Sequence, residues 1–156
     1  MIIERASLEN ATEILELQKL AYASEAAIYN DYSIPPLVQT LDQLRTDFVN
    51  QIFLKAIVDG KIIGSVRGVV EGGTCHIGRL IVHPDFQGRG VGTRLMKEIE
   101  KCFDQAERYE LFTGHRSERN LRLYDGLGYI PFASEPVTEG LTLVFMVKNR
   151  VRMKGR

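Results

Sequence analysis

The stretch FLKAIVDGKIIGSVRGVVEGGTCHIGRLIV, residues 53–82, constrains the fold more than any other part of the chain. β-Branched runs alternate there with two dipeptides, Asp59-Gly60 and Gly72-Gly73. Dipeptides of this kind form tight two-residue turns whose twist matches that of the flanking strands. The stretch therefore predicts an antiparallel meander of three strands. A meander has two faces, and helices must cover them if the sheet is to be buried.

The rest of the chain supplies those helices. MIIER reads as a short strand, and Ser7 offers an N-cap after it. Ala11, Ile14, Leu15, Leu17, Leu20 and Ala21 then give a broad apolar face at helical spacing. Pro35-Pro36 is expected to break any helix, and TLDQLRTDFV reads as a second, shorter helix with Thr40 as its N-cap. Beyond the meander, Val91, Leu95, Met96, Ile99, Cys102 and Phe103 share one helical face, with Arg94, Lys97, Glu98 and Lys101 on the other. YELFTG is a strand. SERNLRLYDGLG is a helix capped by Ser117 and ended by Gly126 or Gly128. YIPFAS and LTLVFMVK close the chain as strands. The order β α α β β β α β α β β describes one mixed α/β domain over residues 1–150, followed by a basic, disordered tail at 151–156.

Charge and cysteines narrow the function classes. Twenty basic residues balance twenty acidic ones, which argues against a dedicated nucleic-acid binder. There is no run of 18 apolar residues and no N-terminal signal segment, so no membrane partner is expected and the expected location is cytoplasmic. Cys75 and Cys102 lack CxxC spacing and read as reduced core residues. No two histidines have ligand spacing, so no metal site is expected.

The third meander strand runs into IVHPDFQGRGVGTRLM, residues 81–96. A strand ends there and an amphipathic helix begins. The first-turn N–H groups of a helix have no intrahelical partner and carry the positive end of its dipole. Gly88, Gly90 and Gly92 let the backbone approach an anion closely, so the segment reads as a phosphate cradle. A nucleotide-hydrolase loop would need GxxxxGK[ST], and the lysine-hydroxyl pair is missing. A dinucleotide site would need GxGxxG after the first strand of a βαβ unit, whereas the strands here are antiparallel.

QGRGVG instead fits the pattern Gln/Arg-x-x-Gly-x-Gly/Ala, carried by Gln87, Gly90 and Gly92, with LIVHP before it and LYDGLGY after it. In these phrases and in its element order the chain resembles the GCN5-related N-acetyltransferase (GNAT) superfamily along essentially its whole length. The resemblance implies a mostly antiparallel sheet splayed between the fourth and fifth strands, with about four helices. It implies acetyl-coenzyme A as co-substrate, with pantetheine against the main chain of Leu80, Ile81 and Val82. The pyrophosphate would sit on Gln87, Gly88, Arg89, Gly90, Val91, Gly92 and Thr93, and Arg94 could add charge outside the cradle. Tyr124 matches the family tyrosine that reaches the thioester sulfur. A phenol there can protonate a departing thiolate, whose ordinary pKa is about 8.5. Many members carry asparagine seven residues before that tyrosine. Ser117 stands at this position, and Asn120 lies one turn nearer Tyr124.

A substrate ammonium must lose a proton before it attacks. Where some relatives place a glutamate, six residues before the valine that ends the strand, this chain has His76. Glu71 and His115 are further candidates for the base, whereas His83, beside Pro84, reads as structural. The acceptor, a small-molecule or peptide amine, would enter over the first two helices, where Tyr29, Asp31 and Tyr32 offer an aromatic and acidic set. The expected reaction is acetyl transfer to a primary amine by direct attack in a ternary complex. The alternative is a non-catalytic acyl-coenzyme A sensor, for which a proton donor at the sulfur has no use. An exposed edge among the C-terminal strands offers a place for a second copy to pair as a homodimer.

Overall fold

β1 (Ile2–Arg5) lies antiparallel to β2 (Ile52–Val58), which continues through β3 (Lys61–Glu71) and β4 (Thr74–Val82) as the predicted meander. Asp59-Gly60 and Gly72-Gly73 both take the left-handed conformations of a tight hairpin turn. β4 pairs in parallel with β5 (Arg108–Gly114), and the sheet ends with β7 (Leu141–Asn149) followed by the edge strand β6 (Ile130–Thr138). The order is β1-β2-β3-β4-β5-β7-β6, a mixed seven-stranded sheet. This computed structural model describes residues 1–150. The expected basic tail, 151–156, lies outside the described residues.

Neighbouring strand residues feed opposite layers, as strand geometry requires. Phe53 and Ile62 pack with α1 (Ala11–Tyr29) and α3 (Leu41–Asn50). Their neighbours Leu54 and Ile63 pack with α4 (Val91–Cys102) and α5 (Glu118–Gly126). On α4, the buried residues are Val91, Leu95, Met96 and Ile99, the predicted apolar face. Each such side chain contributes about 1.5–3 kcal/mol when fully buried.

Three expectations need correction. Pro35-Pro36 does not break a helix but starts one: α2 (Pro35–Val38) is a single turn with proline at its first position, where no N–H is needed. With it, the described residues form five α-helices. Ser7 is an N-cap as expected, but of a 3₁₀ turn, Leu8–Asn10, that leads into α1 rather than of α1 itself. It donates its N–H to Asn10 Oδ1 at 2.9 Å. Cys75 is buried, but Cys102 is exposed at the last turn of α4.

The β3–β4 ladder contains a bulge. Ser65 faces Ile81 and Arg67 faces Gly78, so Arg79 and Leu80 oppose Val66 alone. Arg79 takes a left-handed backbone, φ 49°, which is uncommon for a non-glycine residue.

Candidate functional site

β4 and β5 pair only from Thr74–Arg108 to His76–Glu110. Beyond His76 the strands part, leaving that side of β4 without a strand partner. The gap opens into a cleft of about 520 Å³, walled by the second half of α1, the end of β4, the glycine loop, the start of α4 and α5. Leu80, Ile81 and Val82 line it from β4.

The loop is shaped from within. His83 Nδ1 accepts the Asp85 N–H at 3.0 Å and sets the 3₁₀ turn Pro84–Phe86. Gly88 and Gly90 have φ of 76° and 81°, and Gly90 is the N-cap of α4. A Cβ built on either would meet nothing within 4 Å, so open space lies before the cradle. Gln87, Gly88, Gly90, Val91, Gly92 and Thr93 all border the cleft. Arg89 lies over the Phe86 ring, 5.3 Å from its centroid. Arg119 of α5 donates to the Gln87 side chain across the cleft mouth.

A hydrogen-bond latch joins α1 to α5. Ser117, 1% exposed, donates its hydroxyl to Glu25 Oε2 at 2.5 Å and lies 2.7 Å from Tyr29 Oη. Tyr29 Oη also accepts the Arg116 N–H at 2.9 Å. Ser117 borders the cleft, but its hydroxyl is committed to this latch. Asn120 borders the cleft too, and its amide makes only a long 3.4 Å contact with Thr113. Tyr29 therefore faces α5. Asp31 accepts bonds from Ser33, which hold its carboxyl below the usual range, and Tyr32 is exposed.

Tyr124 follows Leu123, which lines the cleft, and is itself 6% exposed. It packs edge-on to Tyr129, with ring centroids 6.0 Å apart. Burial pushes its phenol well above the usual value of 10.0, and Tyr22 and Glu25 push it further. Both of these neighbours line the cleft. The phenol thus stays protonated at any physiological pH.

The base candidates are spread out. His76 does not line the cleft; its side chain is about half exposed at the closed end of the splay, with Nδ1 4.0 Å from Glu110. Glu71 is exposed at the β3–β4 hairpin. His115 Nδ1 accepts the Thr142 N–H at 3.0 Å. Sequence reasoning missed Tyr22 and Glu25. Their one signal is that the apolar stripe of α1 gives way, after Leu17, to the small and polar residues Ala21, Tyr22, Ser24 and Glu25.

Residues 12–129 match the family model described as "Acetyltransferase (GNAT) family". The chain belongs to this family. Among GNAT relatives of known structure is the PaiA N-acetyltransferase of Thermoplasma acidophilum, solved with coenzyme A. It superposes with a TM-score of 0.78 at 19% identity, over 96% of this chain and 99% of that one. The ribosomal-protein-S18-alanine N-acetyltransferase of Escherichia coli superposes with a TM-score of 0.80 at 14% identity, over 99% of this chain and 96% of that one. These likenesses show the fold. In sequence, the chain is 28% identical over 133 residues to the Bacillus subtilis protein "UPF0157 protein YqkA". That match covers 85% of this chain and spans 38% of the Bacillus protein. Among the described residues, no helix is long and apolar enough to cross a membrane.

Proposed function

We propose that this chain binds acetyl-coenzyme A in the β4–β5 cleft and transfers the acetyl group to an amine. One observation carries the reading. The cleft is bordered both by the glycine loop at the α4 N-terminus and by Tyr22 and Glu25, whose charges act on the buried, protonated phenol of Tyr124, a residue that does not itself line the cleft. A sensor of acyl-coenzyme A would need the first and not the second.

Acetyl-coenzyme A supplies an acetyl thioester when bound. The first-turn N–H groups of α4 and the main chain of residues 87–93 would hold its pyrophosphate, in the open space before Gly88 and Gly90. The main chain of Leu80, Ile81 and Val82, on the side of β4 that β5 leaves, would receive the pantetheine as an added strand. Asn120 would supply the polar contact from α5, since Ser117 is committed to Glu25 and Tyr29.

The reaction needs one proton taken from the substrate ammonium before attack and one delivered to the leaving sulfur; the proton that the nitrogen sheds as the amide forms replaces the one the sulfur takes. Tyr124 Oη holds the second. For the first, Glu25 and Glu118 both line the cleft, and Glu25 is the one whose charge acts on Tyr124. Its carboxylate would attract the substrate ammonium and pass the proton to solvent before the amine attacks. His76 is about half exposed and does not line the cleft.

The test is a screen of amines that follows thiol release from acetyl-coenzyme A, alongside calorimetric binding of the cofactor. Turnover with at least one amine class supports the transferase reading. Binding without turnover across primary amines, polyamines and peptides would favour the sensor.

A further inference from the structure

A second polar cluster lies beneath the α1 wall of the cleft, and one guanidinium in it lacks a salt-bridge partner among the described residues. Arg67, on β3, is 6% exposed. Its Nη1 meets Asp47 Oδ2 at 2.6 Å, and its guanidinium lies 5.2 Å from the centroid of the Phe53 ring. The same Asp47 oxygen already accepts from Gln39 Nε2 at 2.7 Å. Arg79, on the β4 bulge, lies close enough to Arg67 to repel it, and its guanidinium sits beside the Tyr22 hydroxyl. Arg79 Nε is buried and has no hydrogen-bond partner among the described residues. Arg67 thus has Asp47 as its carboxylate partner, whereas Arg79 has no salt bridge among the described residues and shares the surroundings of Tyr22 with Arg67 and Glu25. Arg67 is held below its ordinary pKa, first by burial and then by Arg79.

An orphaned buried N–H costs as much as a lost hydrogen bond, and native proteins rarely leave one. Arg79 also adopts a left-handed backbone where glycine would be comfortable. Bulges and strained residues cluster at functional sites, where they re-aim a side chain. Without the extra residue, strand alternation would turn position 79 toward the α4 layer. The bulge brings it to the α1 side, next to Tyr22, which lines the cleft three residues from Glu25.

We propose that the acceptor carries an anionic group, a carboxylate or phosphate, besides its amine, and that Arg79, backed by Arg67, binds that group. This rests on the transferase reading above. A guanidinium fork matches two oxygens of either anion, and its hydrogen bonds to an anion are of the strong, charge-assisted kind. The incoming anion would give the Arg79 guanidinium the partner it lacks. Glu25, on the same wall, would take the ammonium end, so the two charges of the acceptor fix its direction in the cleft.

The test uses the full chain and matched acceptors that differ only in charge. These are glycine, β-alanine and larger amino acids against their amides, and phosphoethanolamine against ethanolamine, followed by thiol release. The expected result is that kcat/KM for at least one acid exceeds that of its neutral partner by about tenfold or more. The arm that shows the preference tells carboxylate from phosphate. In R79Q and R79G the ratio should fall to within about threefold of unity. R79G relieves the left-handed backbone, so its Tm should equal or exceed that of the parent. Neutral amines or cationic polyamines turned over as well as the acids would overturn the proposal and leave the transferase reading standing. So would an acid preference that persists in R79Q, or a marked fall in Tm for R79G. If no amine turns over, the transferase reading fails. The anion site is then judged by calorimetry of the N-acetyl acid and its amide against the coenzyme A complex, where equal affinity overturns it.

Discussion

In the proposed reaction, Tyr124 and Glu25 would divide the proton work. Tyr124→Phe should lower turnover about 10²–10⁴-fold, the usual contribution of a general acid. It should leave acetyl-coenzyme A affinity nearly unchanged, and steady-state thiol release with calorimetric binding separates the two effects. Glu25→Gln keeps an oxygen that can accept from Ser117, so the latch should survive while kcat/KM falls about a hundredfold. His76→Gln should stay within about threefold of the parent in the same assay, and a large loss would move the base to His76. Cysteine chemistry was only half legible. Burial, helped by the Glu100 charge, pushes the Cys75 thiol up to about 12. It should resist Ellman's reagent at pH 8 until the chain unfolds, whereas exposed Cys102 should react in the native state. The position of Cys102 on the apolar face of a helix concealed its exposure, because that face outruns the sheet it covers.

The glycine loop and the α1–α5 latch make separate predictions. Gly90→Glu places a carboxylate at the α4 N-terminus, where the cofactor phosphates are expected, on a backbone with φ 81°. Coenzyme A affinity should fall at least about tenfold, read by calorimetry. Gly114 lies against the latch, and a Cβ there would come within 2.0 Å of Tyr29 Oη. Gly114→Ala should displace Tyr29 and cost about 1–3 kcal/mol in chemical denaturation. The meander was legible because alternation and paired turn residues speak for themselves within ten residues. The one-turn helix at Pro35–Val38 was not, since four residues carry no period. β6 runs on to Thr138, past the predicted YIPFAS, because every residue of this edge strand is exposed and alternation has nothing to record.

Across the fold, stability should respond to alkali. Burial raises the phenols of Tyr124 and Tyr129 far above 10.0, and the Glu100 charge and hydrogen bond lift Tyr129 further. In the unfolded chain both ionise near pH 10. The folded chain therefore binds more protons above that pH, and stability declines as pH rises. Denaturant midpoints should hold steady to about pH 9 and then fall, less steeply in Tyr129→Phe. What the amino-acid sequence determined by itself was local: the strands and turns of the meander, the amphipathic faces, the glycine cradle and the phrase around Tyr124. All of these are written in spacings of a few residues, and they sufficed for the family resemblance. Only the tertiary structure decided which distant groups meet. It set Glu25 beside Ser117, left His76 outside the cleft, and turned Arg79 on a bulge toward Tyr22 with its Nε unpaired. Those meetings depend on register, bulges and helix docking, which set distances in space between residues far apart along the chain.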